Sequence, residues 1–297
     1  MSPAVAVVVP TCGRPDLLRR CVAALEAQSL AADAYEIIVV DDTLARRGPA
    51  ATRNIGWRRA RAPIVAFTDD DTVPDADWLV RGLAAFEPGV DAVAGRIVMP
   101  LPATPTDYER NEQGLERAEF VTANCFVRRG VLQRLGGFDE SFRLPWREDS
   151  DLHFRLLEAG CRVVRAPQAI VVHPVRPAPW GVSLRQQRKV MFDALLFRKH
   201  RALYRERIRG APRWDYYAVV ASLALSPFWP PALLIWAFLT ARLCCDRLRG
   251  TSKAPAHVAE MVITSILIPP LSVFWLLVGA LKFRVAFVWS RNLRGGR

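Results

Sequence analysis

The sequence predicts an α/β fold with a mostly parallel central sheet, followed by a C-terminal helical region that associates with a membrane. Three observations predict it. Over residues 1–180 short apolar runs alternate with amphipathic stretches, as expected of buried strands covered by helices. Residues 181–213 are basic, with ten Lys/Arg against two acids, and have the spacing of amphipathic helix over 184–209. Residues 214–297 are dominated by two long stretches without a charge, 216–241 and 261–281.

Residues 4–9 read as a buried first strand, closed by Pro10-Thr11 and a turn at Gly13-Arg14-Pro15. The first ten residues lack a basic n-region and a cleavage site, so they read as strand and not as a signal peptide. From 16 to 28, Leu17, Leu18, Cys21, Val22 and Leu25 recur at helical spacing, with Asp16 placed to cap. A second strand over 36–40 ends in Asp41-Asp42, and a helix is expected over 51–61. A third strand, Ile64–Phe67, ends in Thr68-Asp69-Asp70-Asp71. Strands are expected over 92–99, 120–127 and 162–172, and a helix over 149–159. Residues 101–115, Pro-rich at first, have the composition of a flexible loop over a site.

The composition is that of an ordered protein, 51% apolar and 24% charged, and the net charge of +12 asks for an anionic partner. Much of that charge lies in the basic stretch just before the most apolar sequence, which favours anionic membrane lipid over nucleic acid. No nucleic-acid motif is present. The six cysteines have no metal-ligand spacing and no disulfide framework, and read as free thiols in a reducing compartment.

Each uncharged stretch, 26 and 21 residues long, can cross a bilayer, so two spanning helices are the default expectation. Both are broken by proline, at Pro227, Pro230 and Pro231 in one and at Pro269-Pro270 in the other. The loop between them carries Arg242, Arg247, Arg249 and Lys253, and exporting it would oppose the positive-inside rule. Two re-entrant hairpins of half-length helices would keep every basic loop cytoplasmic and stand as an equal expectation. A soluble helical bundle is the third.

Acids at strand ends are the main functional signal. In parallel α/β sheets ligands bind beyond the carboxyl ends of the strands, where Asp41-Asp42 and Asp69-Asp70-Asp71 both fall. Three consecutive carboxylates repel one another unless a cation sits among them, and hard divalent ions favour such ligands. A solvated, helix-capping turn is the bland alternative.

Six motifs in order resemble those of family 2 glycosyltransferases, a group of GT-A fold that includes polysaccharide, lipid-linked-sugar and rhamnosyl transferases. They are Val7-Val8-Val9-Pro10-Thr11, Ile38-Val39-Val40-Asp41-Asp42-Thr43, Ala51-Thr52-Arg53-Asn54-Ile55-Gly56, Phe67-Thr68-Asp69-Asp70-Asp71, Gly136-Gly137-Phe138-Asp139-Glu140 and Glu148-Asp149-Ser150-Asp151-Leu152. The resemblance covers residues 5–175. It implies an inverting transfer from a nucleotide-sugar, most commonly a UDP-sugar, with Mg²⁺ or Mn²⁺. Pro10, Thr11, Arg14, Asp41, Asp42, Arg53, Asn54, Asp69 and Asp70 would meet the nucleotide-sugar. Asp69, Asp71 and His173 would hold the metal, His173 because relatives place a ligand after the corresponding strand.

The resemblance makes Asp149 the catalytic base, with Glu148 beside it to shift its pKa. Trp146 and Asp151 would line the acceptor site, though Trp146 reads as readily as a core tryptophan. The processive QxxRW motif is absent, with Gln186-Gln187-Arg188-Lys189 only a partial echo, so a single addition is expected. The acceptor would be a saccharide or a lipid-linked sugar of the cell envelope, met at a bacterial-type inner membrane with the catalytic domain on the cytoplasmic side. Nucleotidyl transfer predicts a Gly-rich basic loop after the first strand, which Thr11-Cys12-Gly13-Arg14-Pro15 fits poorly. A non-catalytic membrane scaffold predicts lost acids, and every expected acid is present.

Overall fold

The computed structural model describes residues 2–286. The chain forms two units, Met1–Leu101 with Glu112–Arg176, and Pro102–Asn111 with Pro177–Arg297. The end of the expected hydrophobic region, residues 287–297, lies outside the described residues.

In chain order the elements up to Arg176 are β1 (Val5–Thr11), α1 (Pro15–Glu26), β2 (Tyr35–Asp41), α2 (Pro49–Arg59), β3 (Ile64–Phe67), β4 (Val73–Pro74), α3 (Trp78–Ala84), β5 (Ala92–Val98), α4 (Asp107–Glu112), β6 (Cys125–Arg128), α5 (Arg129–Leu135), α6 (Glu148–Glu158) and β7 (Val163–Val172). The strands form one sheet in the order β2-β1-β3-β6-β5-β7-β4. The parallel pairings are β1 with β2 and with β3, and β5 with β7, those of β1–β2 and β5–β7 being the longest; the pairings that β6 and β4 make are antiparallel. The sheet is therefore mixed, with the parallel order expected from sequence carried by its longest strands.

β1 is buried along its whole length because both faces are covered. Alternation sends Ala6 and Val8 to one core with Trp57, Phe67 and Leu152, and Val5, Val7 and Val9 to the other with Cys21, Leu25 and Trp78. Each buried valine contributes about 1.5–3 kcal/mol. Pro10 is tolerated inside this strand because pairing with β3 ends at Val8↔Phe67, so its missing N–H removes no bond on that side.

Three differences from the sequence reading have local causes. β4, α3 and α5 are too short to leave a periodic signal. β6 starts at Cys125, since residues 120–124, although buried, turn through an Asn124 N–H to Val121 C=O bond. The segment 101–115 carries α4 and part of a 3₁₀ turn, Gln113–Arg117.

The second unit continues with α7 (Val182–Gln186), α8 (Met191–Lys199), α9 (Arg201–Leu203), α10 (Trp214–Leu225), α11 (Pro231–Leu248) and α12 (Pro255–Lys282). The single basic helix expected over 184–209 is instead broken into the short helices α7, α8 and α9, with a 3₁₀ piece at Gln187–Val190 and a π-helical one at Tyr204–Ile208. The first apolar stretch is split at Ser226–Pro230 into helices of 12 and 18 residues. The second is one helix of 28 residues with Pro269 and Pro270 inside it. The first stretch thus breaks at its prolines into two helices, and the second runs through its prolines as one. Among the described residues one helix, α12, is long and apolar enough to cross a bilayer. Arg247 ties this unit together, donating to Asp107 Oδ2 and to the hydroxyls of Thr264 and Ser265.

An irregularity between β5 and β7 sets the end of the sheet. Gly95 pairs with Ala166 but Arg96 pairs with Ile170, so β7 bulges. The buried Asn124 amide fills the gap, donating to Arg96 C=O (2.8 Å) and Ala169 C=O (2.9 Å) and accepting from Trp78 Nε1 (2.9 Å). Gly95 is required there, since a Cβ would lie 2.1 Å from Asn124 Oδ1. Beyond the bulge Val98 pairs with Val172, and the His173 N–H reaches Val98 C=O. Asn124→Leu keeps the volume but leaves three polar groups unpaired, and should cost about 3 kcal/mol or more in urea denaturation of the purified chain. A loss within about 1 kcal/mol would show that the amide does not hold the bulge.

Candidate active site

The acids gather because three strand ends meet. β1 and β2 run in register to Thr11↔Asp41, and β3 stops beside Val8, so Asp41, Asp42 and residues 68–71 emerge on one edge. From Phe67 the chain then crosses the strand ends to β4, which pairs Val73 with Val172. That short pairing brings His173 against Asp71, with Nε2 and Oδ1 3.6 Å apart. The crossing is stapled by threonines: the Thr68 and Thr72 hydroxyls lie 2.7 Å apart, Thr68 donates to Ala123 C=O and Thr72 to Asp69 C=O.

Each aspartate of the triplet has its own cation. Asp69 accepts from the buried Arg53 Nη2 at 2.7 Å. Asp70 is fully buried and holds Thr11 Oγ1 (2.6 Å) and Arg14 Nη2 (2.9 Å). Asp71 meets Arg176 Nε at 2.9 Å and Arg14 Nη1 at 3.5 Å. Burial pushes the Asp70 carboxyl up, with the Thr11 hydrogen bond and Arg14 pulling against it. Burial acts on Asp69 in the same sense, but Arg53 and His173 outweigh it and hold that carboxyl below its ordinary value.

Asp69, Asp71 and His173 offer ligand atoms that all lie within 4.8 Å of one another. Two carboxylates and an imidazole suit a divalent cation. The Asp71–His173 separation is too long for a good hydrogen bond, and His173 Nδ1 is buried without a partner. The donor set therefore fits a metal better than it fits itself.

The second acidic group starts α6. Arg147 precedes it in the left-handed region (φ 77°), a strain of roughly 1–2 kcal/mol in a non-glycine residue, and the acids of the first turn suit the helix dipole. Arg53 reaches across to it, with Nη1 3.1 Å from Glu148 Oε1. Glu148 is buried, and its pKa is pushed up to about 7 by that burial and by Asp149, against the pull of Arg53. Asp149 is half-buried and accepts from the Ser150 N–H at 2.6 Å. Burial raises its pKa too, and the Ser150 amide and Arg147 oppose the rise.

Several sequence-predicted residues have other roles. The Asn54 amide, expected near the nucleotide, is fully bonded within the fold: Nδ2 donates to Phe138 C=O and Glu140 Oε1, and Oδ1 accepts from Trp57 Nε1 and the Phe138 N–H. This amide fixes the Gly137–Glu140 turn, and a Cβ on Gly137 would lie 2.4 Å from it. Asp151, expected at the acceptor, is fully buried and pairs with Arg155 at 2.8 Å. Glu148, expected beside the base as a catalytic group, is buried and bonded to Arg53. Asp42 accepts from the Arg47 and Gly48 N–H groups and shapes that loop, while Asp41 stays exposed at the mouth beside Thr43. Trp146 is 37% exposed, with the Arg147 guanidinium 4.6 Å above its ring. Arg176 was missed, because its only trace in the sequence is its place just after His173-Pro174.

Residues 64–286 match the family described as Glycosyl transferase family group 2, and residues 6–44 match Glycosyl transferase family 2. The glycosyltransferase AglE of Haloferax volcanii is 28% identical over 63% of this chain and 72% of its own length. The pre-mycofactocin glycosyltransferase of Mycobacterium tuberculosis is 31% identical over 58% of this chain and 43% of its own. An N-acetylglucosaminyl-diphospho-decaprenol L-rhamnosyltransferase from M. tuberculosis is 33% identical over 39% of this chain and 38% of its own. The alignment thus spans less than half of these two mycobacterial relatives. Among solved structures, a mannosyltransferase of Pyrobaculum calidifontis in complex with GDP-Man and Mn²⁺ aligns over 96% of this chain and 88% of its own, with a TM-score of 0.55 at 19% identity. S. aureus TarS 1-349 in complex with UDP aligns over 97% and 93%, with a TM-score of 0.50 at 15% identity. The fold is that of the GT-A enzymes, and with the family match covering most of its length the chain belongs to the family 2 glycosyltransferases.

Proposed function

We propose that the chain transfers one sugar, with inversion, from a nucleotide-sugar to a lipid-linked or membrane-proximal acceptor, with Asp149 as the base. The observation that carries this is the placing of Arg53 between the two acidic groups, on Asp69 at one end of its guanidinium and on Glu148 at the other. Asp149, next to Glu148, is the accessible carboxylate of the second group. It takes the acceptor hydroxyl proton while that oxygen attacks the anomeric carbon from the face opposite the leaving group. The bond from that carbon to the diphosphate oxygen breaks, and the nucleoside diphosphate leaves with the electron pair. Asp69, Asp71 and His173 would hold the divalent cation, which supplies charge stabilisation for the departing diphosphate. Arg14 and the half-exposed Arg176 lie against the same carboxylates and would turn to the phosphates once a cation satisfies Asp71.

Asp41 at the open end of β2 fits the base of the nucleotide, and Pro10 and Thr11 line the approach. A lipid-linked acceptor is supported by the rhamnosyltransferase relative, whose name specifies a diphospho-decaprenol substrate, and by the apolar helix α12. On this reading the reaction runs at a bacterial-type inner membrane, on its cytoplasmic side, in the synthesis of envelope glycans or glycolipids.

Donor hydrolysis tests the reading without knowledge of the acceptor. Detergent-purified protein screened with UDP-, GDP- and dTDP-sugars should release one nucleotide, and only with Mn²⁺ or Mg²⁺ present. Asp71→Asn should lose that release by about 100-fold or more. Asp149→Asn should still bind donor but lose transfer by roughly 10²–10⁴-fold. A chain that neither binds nor turns over any donor with metal present is not this enzyme.

The raised pKa of Asp149 gives a second expectation. A base works ionised, so kcat/KM should fall as pH drops through that pKa, with the acid limb above the ordinary aspartate value of about 4. The residual activity of Asp149→Asn should lack this limb. Its survival in the variant would assign the titration to another group.

A further inference from the structure

In the second unit a shallow open cleft is lined by Tyr204, Arg209, Arg213 and Tyr217 and by one side of α12 at Ser272 and Leu276. Its shape follows from the π-helical turn Tyr204–Ile208, closed by an Arg209 N–H to Tyr204 C=O bond of 2.9 Å. A five-residue turn is wider than an α turn and brings residues i and i+5 to the same side, which here sets Arg209 beside Tyr204. Such turns are rare and recur at functional sites.

The two cations of the cleft are not equivalent. Arg213 is already engaged, with Nε and Nη2 on Asp215 at 2.9 and 2.6 Å and its guanidinium 3.7 Å over the Tyr216 ring. Among the described residues no acid pairs with Arg209, so the charge of the cleft is one uncompensated guanidinium among tyrosines. Its field is felt at Tyr217, whose hydroxyl is pushed up by burial while Arg209 pulls against the rise. The rim is apolar and exposed: Trp214, next to Arg213, is 67% exposed, and Phe274 and Leu277, next to the α12 lining, are 54% and 58% exposed. A guanidinium with tyrosine hydroxyls behind an apolar aromatic rim has the layering of a bilayer interface, with headgroup contacts at one level and acyl contacts beside them.

We propose that this cleft binds the phosphate of an anionic membrane lipid, with Arg209 as its cation and the tyrosines as hydrogen-bond donors. A free phosphate would gain nothing from the exposed Trp214, Phe274 and Leu277, which is why the occupant is assigned as a lipid. The site differs from general attraction of the basic stretch for anionic surfaces, because it makes one arginine decisive. It also does not depend on which sugar the first unit transfers.

The test is calorimetric titration of the full chain in neutral detergent with dioctanoyl phosphatidic acid, dioctanoyl phosphatidylcholine and inorganic phosphate. Phosphatidic acid should bind at least about tenfold tighter than either of the others. Arg209→Gln should weaken it by about tenfold or more, and Arg209→Lys by less. Arg185→Gln, an exposed arginine of the same basic stretch, should stay within about twofold of the parent. The proposal is overturned if Arg185→Gln and Arg209→Gln lose binding equally, since the attraction is then diffuse. It is also overturned if inorganic phosphate binds as tightly as the lipid, or if Arg209→Gln keeps full affinity. Thermal melting of the Arg209 variants within a few degrees of the parent separates lost binding from lost fold. Donor release by the same preparations reports on the transferase reading separately.

Discussion

The buried guanidinium of Arg53 is the contact on which the catalytic edge depends. It comes from the middle of α2, and bonds Asp69 at the end of β3 and Glu148 at the start of α6. A charge taken out of water costs several kcal/mol unless it is met by partners of good geometry. Two carboxylates on one planar fork meet that demand, and a lysine could not span them in the same way. Because Arg53 needs both acids, it fixes the distance between them, and with it the separation between the proposed metal site and the proposed base. Glu148 serves this purpose from a covered position, and its neighbour Asp149 is left accessible for chemistry.

Charge compensation also explains why three consecutive aspartates can be packed at a strand end. Arg14, Arg53 and Arg176 touch the triplet, and Glu148 and Asp149 add two further acids nearby. With all of them ionised the carboxylates outnumber these guanidinium groups, an imbalance that a divalent cation would correct. Arg176 is the adaptable member, half-exposed on the open side of Asp71. Asp70 is the fixed one, buried under Thr11 and Arg14 with no exposed edge. Within this run of identical residues Asp70 is bonded to Thr11 and Arg14, while Asp69 and Asp71 lie with His173 in a set whose ligand atoms are within 4.8 Å of one another.

Sequence patterns disclosed what rests on period and on chemistry within one segment. The β1 and β3 strands, the amphipathic α1, the acids at strand ends and the resemblance to family 2 motifs all fall in that class. The resemblance also named Asp69, Asp71 and His173, which the fold brings together although 102 positions separate Asp71 from His173. What escaped depends on contacts between segments. Nothing local to Asn54 shows that its amide will be saturated by a turn beyond residue 136, or that Asp151 is buried against Arg155. β4 has two residues, too few for any pattern, yet its pairing with β7 carries His173 to Asp71. Arg176 could be recognised only after that pairing was known.

The two apolar stretches show the same limit from another side, because proline interrupts one and not the other. At 226–231 the prolines stand where a helix ends and another begins, and Pro231 occupies the first turn of α11, where a missing N–H is harmless. In α12 the prolines lie mid-helix, where each removes a backbone bond and would destabilise an isolated helix by roughly 3 kcal/mol. The helix continues because that region is held from outside. Thr264, Ser265, Ile268 and Pro269 are buried, and Arg247 bonds both hydroxyls one turn before the break. The result is a rod of about 42 Å, longer than a hydrocarbon core of about 30 Å, which passes through the lining of the Arg209 cleft. Whether a proline pair ends a helix is thus decided by what packs against it, and here one packing residue is Arg247 in the last turn of α11, whose positive charge first argued against a spanning segment.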